Sequence, residues 1–405
     1  MELVQTRDEP IAAPHHGDER ASLDTMLVSM IHAGGSDLHL TVGAPPVVRV
    51  NGQMRYLADY PPLEPADTAM LVRAAVSEDQ WSFFEESHEL DFAYSVDGLS
   101  RFRVNIYIQR GSCGAAFRAI PHDIKPLEEL GVPDSVSRFA QLHRGLVLVT
   151  GPTGSGKTTT LAALLDLANR TRSAHIITIE DPIEFLHHHK QCLVNQREVG
   201  ADTLSFSHAL RSALRQDPDV ILLGEMRDFE TIETALLAAE TGHLVLSTLH
   251  TLDATETINR IVAVFQPHYQ QQVRIQLAGV LKAVVSMRLM PRVDIKGRVP
   301  AVEVLITTPF IRDCIMDKEK THLIPGAIAQ GTSQYGMQTF DQSIFGLLEQ
   351  GLVSYDEALR WASNVDEFKL KVQGISTMSD LTRDDMAKSA QKAAGGHAQI
   401  TRFGS

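Results

Sequence analysis

Residues 145–158 combine residue types whose spacing has a clear chemical meaning. An apolar run at Leu146–Val149 leads into Gly151-x4-Gly156-Lys157-Thr158, and apolar residues with a helical period follow. Glycines at this spacing let backbone N–H groups curl around phosphate oxygens, and the N-terminus of the next helix adds positive potential. Strand, loop and helix in this order predict a phosphate-binding loop rather than a chance glycine-rich turn.

Two polar side chains of the loop have predicted roles. Lys157 reaches the β- and γ-phosphates of a bound nucleotide, and the Thr158 hydroxyl holds Mg²⁺. The predicted nucleotide-binding residues are Gly151, Pro152, Thr153, Gly154, Ser155, Gly156, Lys157, Thr158 and Thr159.

Acidic and histidine side chains follow three further apolar runs, at Glu180, Glu225 and His250. Because ligands bind beyond the carboxyl ends of strands in open parallel sheets, we expect these groups to meet the loop at one edge. Hydrolysis of a nucleoside triphosphate needs one carboxylate to orient water and one to help hold Mg²⁺. Glu180 and Glu225 are the candidates, the alternative for each being a helix cap. The histidines His243 and His250 contact phosphate or are structural.

Arginines supply positive charge for the transition state of phosphoryl transfer, often from a neighbouring subunit. Four of them lie in strand-like segments of the N-terminal part of the chain, and a solvated surface face is the alternative interpretation. They are Arg101, Arg103, Arg110 and Arg118. The run His187–His189 favours exposure over metal binding, because adjacent histidines on a strand point to opposite faces.

Composition excludes several classes of protein. The 405 residues carry 43% hydrophobic and 21% charged side chains, which is typical of a globular chain of two or three domains. A net charge of −13 argues against a nucleic-acid partner. Three distant cysteines without a CxxC pair predict neither disulfides nor a zinc site and favour a reducing cytoplasm. No apolar stretch approaches the ~18 residues of a membrane span, so we expect any membrane association to be peripheral.

The pattern of elements divides the chain into two parts with flanking segments. Residues 1–21 are predicted to be a disordered tail, 22–120 a small α+β domain with Asn51-Gly52 as a hairpin turn, and 121–143 a linker with a short helix. Residues 144–373 are predicted to form an α/β nucleotide-binding core. Its four buried strands indicate a parallel sheet covered by helices. The chain is expected to be mostly helical after about residue 265, and 374–405 to be a flexible tail.

Five motifs, in order along the chain, together resemble the PilT/PilU pilus-retraction ATPases of the type II and type IV secretion ATPase superfamily. They are the loop 151–158, Ile179–Phe185, Leu214–Asp219, Gly224–Asp228 and Thr241–His250. Ser36–Leu40 and Arg101–Asn105 also look like the PAS-like domain of that family. The resemblance covers roughly residues 23–370. It implies a PAS-like α+β domain followed by a RecA-like P-loop ATPase domain with a mostly parallel sheet and C-terminal helices.

The resemblance implies roles residue by residue. Glu180 is the catalytic glutamate, Glu225 the Walker B acid that helps hold Mg²⁺, and His243 and His250 the paired histidines of the family. Arg103 and Arg118 match arginines that reach the nucleotide from the N-terminal domain.

The family also implies ATP and Mg²⁺ as cofactors and a hexameric ring that hydrolyses ATP to retract type IV pili for twitching motility. Implied partners are the inner-membrane platform protein at the pilus base and a paralogous retraction ATPase, with the chain in the cytoplasm at the inner membrane. Residues 310–317 depart from the C-terminal retraction motif but keep Ile311, Arg312 and Ile315. The alternatives are an assembly or secretion ATPase, a PilU-like accessory nucleotide-binding subunit and a nucleic-acid helicase.

Overall fold

The computed structural model describes residues 19–50, 52–120 and 124–374. These residues divide into two compact units. The first holds the described part of Met1–Asp123 together with Asp181–Leu186 and Glu198–Leu204, and the second holds the rest. In the described part of the chain, no helix is both long and apolar enough to cross a lipid bilayer.

The first unit is an α+β domain, as predicted, built on an antiparallel sheet. Its elements are α1 (Glu19–His32), β1 (Gly35–Leu40), β2 (Val47–Val50), β3 (Gln53–Tyr56), α2 (Pro65–Ala75), α3 (Glu78–Ser87), β4 (Glu89–Val96), β5 (Ser100–Gln109) and β6 (Ser112–Ala119). The six strands lie in the order β3-β2-β1-β6-β5-β4. Strand β5 shows how the sequence sets the faces: Phe102, Val104 and Ile106 are buried, while Arg103 between them is exposed.

The start of the first unit differs from the sequence prediction, and part of what was predicted for this unit lies outside the described residues. Helix α1 begins at Glu19, so residues 19–21 are helical rather than part of a disordered tail; the polar residues at its start gave no apolar period. Residues 1–18 of the predicted tail lie outside the described residues, as does Asn51 of the predicted hairpin turn. Strands β2 and β3 pair on either side of that turn, with Gly52 at φ +81°.

The second unit contains the predicted nucleotide-binding core. Its strands are β7 (Gly145–Thr150), β8 (His175–Glu180), β9 (Leu193–Glu198), β10 (Val220–Leu223), β11 (Leu244–Leu249), β12 (Leu281–Pro291) and β13 (Arg298–Ile306). Its helices are α4 (Lys157–Thr171), α5 (Phe206–Ala213), α6 (Phe229–Glu240), α7 (Ala254–Ala263), α8 (Gln270–Val280), α9 (Pro309–Met316), α10 (Ile324–Gln330), α11 (Thr332–Tyr335), α12 (Phe340–Glu349), α13 (Tyr355–Trp361) and α14 (Val365–Val372). Short 3-10 helices occupy Leu127–Glu129, Asp134–Gln141 and Lys318–Leu323.

The predicted parallel sheet is confirmed, and it is larger than expected. The strand order is β13-β12-β7-β11-β10-β8-β9, and the pairs from β12 to β8 are all parallel. The chain after residue 265 is mostly helical, as expected, but it also contains β12 and β13, an antiparallel pair that the sequence analysis did not predict. Residues 283–287 and 299–305 are buried on both faces, so their sequences lack the alternation of apolar and polar residues that marks a half-buried strand. Periodicity alone cannot distinguish such segments from a buried helix.

The segment predicted as a linker is packed into the core of the second unit. Val136 and Phe139, in the second 3-10 helix, are at most 4% exposed and lie in the cluster that also holds Val147 and Val149 of β7. Residues 375–405, which include nearly all of the predicted C-terminal tail, lie outside the described residues.

Glu303 on β13 is a buried carboxyl group that should make stability depend on pH. It is 7% exposed, and its Oε1 accepts a 2.9 Å hydrogen bond from the backbone N–H of Ala254 at the start of α7. Burial raises the pKa of Glu303 to about 7, with Asp253 and Asp341 raising it further against the opposing effects of Ala254 N–H and Arg288. Ionisation therefore costs free energy in the folded state.

We expect Glu303→Gln to gain stability relative to the parent as pH rises. The folded state holds the Glu303 proton more tightly than the unfolded state does. The contribution of Glu303 to the free energy of unfolding is therefore greatest below the unfolded pKa of about 4.5, and up to about 3 kcal/mol is lost as pH rises through about 7. The substituted amide keeps an acceptor for the Ala254 N–H and does not ionise. The difference in free energy of unfolding between Glu303→Gln and the parent should increase from pH 4 to pH 8. For the exposed substitution Glu349→Gln, the difference from the parent should stay constant over this range. A difference for Glu303→Gln that is the same at both ends of the range would contradict this.

Candidate active site

The loop after β7 adopts backbone conformations that favour glycine at three positions. Gly151, Gly154 and Gly156 have φ values of +140°, +76° and +97°. A Cβ atom on Gly151 would clash with the Met287 carbonyl oxygen and stand 2.6 Å from Ser155 Oγ, so the strand leaves the sheet through a gap that only glycine fits. Residues 152–154 form the exposed tip of the loop. The sequence motif thus folds into a tight strand-to-helix turn.

The polar groups of the loop fit a phosphate. Lys157, 8% exposed, donates from Nζ to the carbonyl oxygens of Gly151 (2.8 Å) and Pro152 (3.0 Å), which holds the ammonium across the loop. The Ser155 hydroxyl is buried and finds no hydrogen-bond partner among the described residues. Helix α4 starts at Lys157 with Gly156 as its N-cap, and no described side chain caps its N–H groups. An anion would satisfy all three sets of donors.

Glu225 lies beyond the end of β10, between Arg227 and His250. Its Oε2 is 2.8 Å from an Arg227 guanidinium nitrogen and 3.2 Å from His250 Nε2. Burial raises the pKa of this carboxyl, but Arg227 and His250 outweigh it, so the pKa lies below its usual value. Glu225 is therefore ionised at neutral pH. The three side chains line a cleft of about 510 Å³ that also includes Arg260.

Glu180 is the last residue of β8, the strand beside β10. Ile179 pairs with Leu223, and the Gly224 N–H donates to the Ile179 carbonyl at 2.8 Å. The Glu180 side chain is 8% exposed, and its Oε1 accepts hydrogen bonds from Thr178 Oγ1 at 2.6 Å and Gln196 Nε2 at 3.1 Å. Both predicted carboxylates thus come from adjacent parallel strands.

The strand order sets the distance between these acids and the loop. Strand β11 lies between β7 and β10, with Ser247 paired to Leu148 on one side and to Leu223 on the other. At ~4.8 Å per strand, the end of β10 is about 10 Å and that of β8 about 15 Å from β7. The loop and the two acids therefore lie along one edge of the sheet, with the end of β10 nearer to the loop than that of β8.

His243 is not brought to this edge. It precedes β11 and lies at the opposite end of that strand from His250, where its Nδ1 is 2.9 Å from the Ala238 carbonyl oxygen. In the run His187–His189, His188 and His189 are exposed, as predicted, whereas His187 is half-buried, with burial lowering its pKa to about 4; the run lies outside any strand. No group of three metal-binding side chains occurs within the ranges described above.

The four arginines of the first unit occupy different settings. Arg103 lies directly opposite Arg118 in the β5–β6 pairing, and both side chains are exposed on one face. Arg118 donates to Asp37 at 2.8 Å, and Arg103 is 4.0 Å from Asp91. Like charges directly opposite each other across a sheet repel, and here each arginine has an aspartate beside it that opposes the repulsion.

The other two arginines differ in their surroundings: Arg101 is half-buried and ion-paired within the unit, whereas Arg110 is exposed. Arg101 forms a 3.0 Å ion pair with Glu198, whose Oε2 also accepts from the Ile183 N–H. Arg110 lies in the turn between β5 and β6 with φ +51°.

Several polar neighbours of the site were missed by the sequence predictions. Gln196 comes from β9, an edge strand whose polar residues gave no buried run. Thr178 precedes Glu180 by two residues and so shares its face of β8, a signal the alternation rule offers. Arg298 at the start of β13 donates to the Gly154 carbonyl at 3.5 Å, but nothing in its local sequence indicates that contact.

A parallel sheet with a phosphate-binding loop on one strand and carboxylates ending two others defines a P-loop nucleotide-binding protein, and specifically an ATPase fold. Comparison with known proteins agrees. The type II/IV secretion system protein family matches residues 127–322. The chain belongs to this family of ATPases.

Individual relatives extend the match over most of the chain. The type IV pilus retraction ATPase PilT of Pseudomonas aeruginosa is 50% identical over 335 residues, which cover 83% of this chain and 96% of PilT. The type IV pilus ATPase PilU of the same organism is 42% identical over 350 residues, covering 86% and 91%. A crystal structure of the pilus retraction motor PilT with bound ADP superposes with a TM-score of 0.78 at 47% identity, covering 85% of this chain and 98% of that one.

Proposed function

We propose that this chain is a motor ATPase that hydrolyses MgATP to retract type IV pili. The observation that carries the proposal is the agreement of two findings. Ionised Glu225 and buried Glu180 lie at the ends of adjacent strands, at the sheet edge that also holds the Lys157 loop. The same chain is 50% identical to a pilus retraction ATPase over 83% of its length.

The proposed chemistry assigns each group one task. Lys157 and the α4 N-terminus neutralise the phosphates, and Glu180 orients the water that attacks the γ-phosphorus and accepts its proton. Thr158 and Glu225 would hold Mg²⁺; hydroxyl and carboxylate oxygens are donors this ion accepts, and Mg²⁺ supplies further neutralisation of phosphate charge. His250 beside Glu225 contacts the phosphate side of the same cleft. His243 stays outside these steps.

The motor requires a neighbouring subunit in this proposal. Residues 22–120 act as the N-terminal domain and 144–373 as the ATPase domain of each protomer in a hexameric ring. Arg103 and Arg118 reach the nucleotide of the adjacent protomer, and the exposed, mutually repelling pair supports a role outside its own unit. The ring acts in the cytoplasm at the inner membrane, against the platform protein of the pilus and with a paralogous retraction ATPase.

Deleting the gene tests the direction of work. We expect cells that carry more pili than the parent and do not twitch, with both properties restored by the intact gene and not by a Lys157→Ala copy. Cells without pili would instead identify an assembly ATPase. Normal retraction combined with an ATPase rate that appears only in a mixed complex would identify an accessory subunit of the PilU type, the second candidate that 42% identity to PilU supports.

A further inference from the structure

Gln196 links the edge strand β9 to the carboxylate of Glu180. Its Oε1 accepts a 2.7 Å hydrogen bond from the backbone N–H of His187, and its Nε2 donates to Glu180 Oε1 at 3.1 Å. Both contacts lie within the second unit. The side chain therefore bridges a fixed backbone group and the candidate catalytic acid.

The backbone contact decides which end of the amide faces Glu180. A backbone N–H can only donate, so the carbonyl end of Gln196 must point at His187. The NH₂ end is then left for Glu180, whose carboxylate can only accept when ionised. The opposite amide orientation would lose both bonds at once. The orientation of Gln196 is thus determined by its partners rather than by a free choice of rotamer.

The amide acts together with Thr178. Thr178 Oγ1 donates to the same Glu180 oxygen at 2.6 Å. Two donors on one oxygen fix the plane and position of a carboxylate, and hydrogen bonds to the charged form favour that form. Because Glu180 is only 8% exposed, solvent cannot replace a lost donor well.

We propose that Gln196 is a positioning residue for ATP hydrolysis that holds Glu180 in the orientation needed to bind the attacking water. The inference rests on the proposed role of Glu180 as the water-orienting carboxylate. Gln196 acts through Glu180 and does not touch the nucleotide. Its loss therefore lowers the rate of the chemical step and leaves nucleotide binding unchanged.

Two substitutions separate positioning from a structural role. Gln196→Met keeps the length of the side chain and removes the donor. Gln196→Glu keeps an acceptor for the His187 N–H but turns a carboxylate toward Glu180, where two like charges repel. If Gln196 served only to tie down His187, glutamate would substitute well and methionine would not. If it positions Glu180, glutamate is at least as harmful as methionine.

The experiment measures steady-state ATP hydrolysis of the full-length variants with MgATP. We expect kcat to fall about tenfold or more for Gln196→Met and further for Gln196→Glu, with KM changed by less than about twofold. Gln191→Met is the matched control, because this exposed glutamine precedes the same strand and no side-chain contact is found for it among the described residues. Binding of a fluorescent ATP analogue confirms that each variant is folded.

The outcomes distinguish this inference from the proposed function. If Glu180→Gln is inactive while both Gln196 variants keep the parent kcat, Gln196 is not a positioning residue and the role of Glu180 stands. A rise in KM without a change in kcat, or full rescue by Gln196→Glu, would also overturn the inference. If Glu180→Gln itself keeps the parent rate, the proposed role of Glu180 fails, and the inference fails with it.

Discussion

Replacing Lys157 with alanine is expected to abolish ATP hydrolysis. Lys157 is 8% exposed and its ammonium is held by two carbonyl oxygens of its own loop, so it is already fixed within the proposed phosphate-binding loop. Preorganised positive charge in a largely water-excluded site stabilises the transition state by far more than it would in bulk water. We expect the rate to fall about 10³-fold or more.

The loss should include nucleotide affinity, because Lys157 contacts phosphates in both the ground state and the transition state. The measurement is ATP turnover together with equilibrium binding of ADP and ATP. Lys318→Ala provides the control, since that side chain is 74% exposed and, among the described residues, forms an ion pair only with Glu319 at 3.7 Å. Removing the ammonium also leaves two loop carbonyl oxygens without their hydrogen bonds. We therefore expect a small decrease in the thermal unfolding temperature, with the variant still folded at the temperature of the assay. A folded Lys157→Ala protein that turns over at the parent rate would contradict the assignment of the loop.

The core of the site could be predicted from the sequence because its signals are local. The loop needs a fixed spacing of glycines, lysine and threonine, and buried parallel strands read as continuous apolar runs. Once the strands are parallel, Glu180 and Glu225 must share an edge with the loop, and the structure places them there on adjacent strands.

Other parts of the site depend on strand order or on exact strand ends. Gln196 reaches Glu180 only because β9 lies beside β8, a pairing that no local pattern specifies. His243 was predicted as a catalytic residue, but it precedes β11 and so lies at the amino end of that strand, whereas His250 follows the carboxyl end. Strands β12 and β13 were missed because long apolar runs fit buried helix and buried strand equally well.

The arginine pair shows an intermediate case. Alternation along β5 places Arg101 and Arg103 on one face, which the sequence reveals. Their partner across the sheet depends on the turn at Arg110–Gly111, where both residues have positive φ (+51° and +78°). This two-residue turn fixes the pairing Gln109–Ser112, and counting back from it puts Arg103 opposite Arg118. Arginine is unusual at the first position of such a turn, where asparagine, aspartate or glycine is typical, so the sequence does not indicate this hairpin.

Glu180→Gln should stop ATP hydrolysis without stopping ATP binding. Glutamine keeps the size of the side chain and acceptor capacity for the Thr178 hydroxyl, but it cannot take a proton from water. Loss of a positioned base costs about 10²–10⁴-fold in rate. The variant should therefore hold ATP in a complex that outlasts that of the parent. Pre-steady-state kinetics with radiolabelled ATP would measure cleavage separately from release.

Glu225→Gln should fail in a different way, and the contrast tests both assignments together. Its carboxylate is ionised and neutralises Arg227, so the neutral amide leaves the guanidinium without its ion pair and weakens the proposed Mg²⁺ site. Turnover should fall, and the dependence of ATP affinity on Mg²⁺ should weaken, whereas Glu180→Gln keeps that dependence. Glu233→Gln, an exposed change on α6, should match the parent in both measurements. Equal Mg²⁺ dependence of ATP affinity in the Glu180 and Glu225 variants would contradict the proposed roles. Loss of a Mg²⁺ ligand should weaken that dependence, whereas loss of a proton acceptor should leave it unchanged.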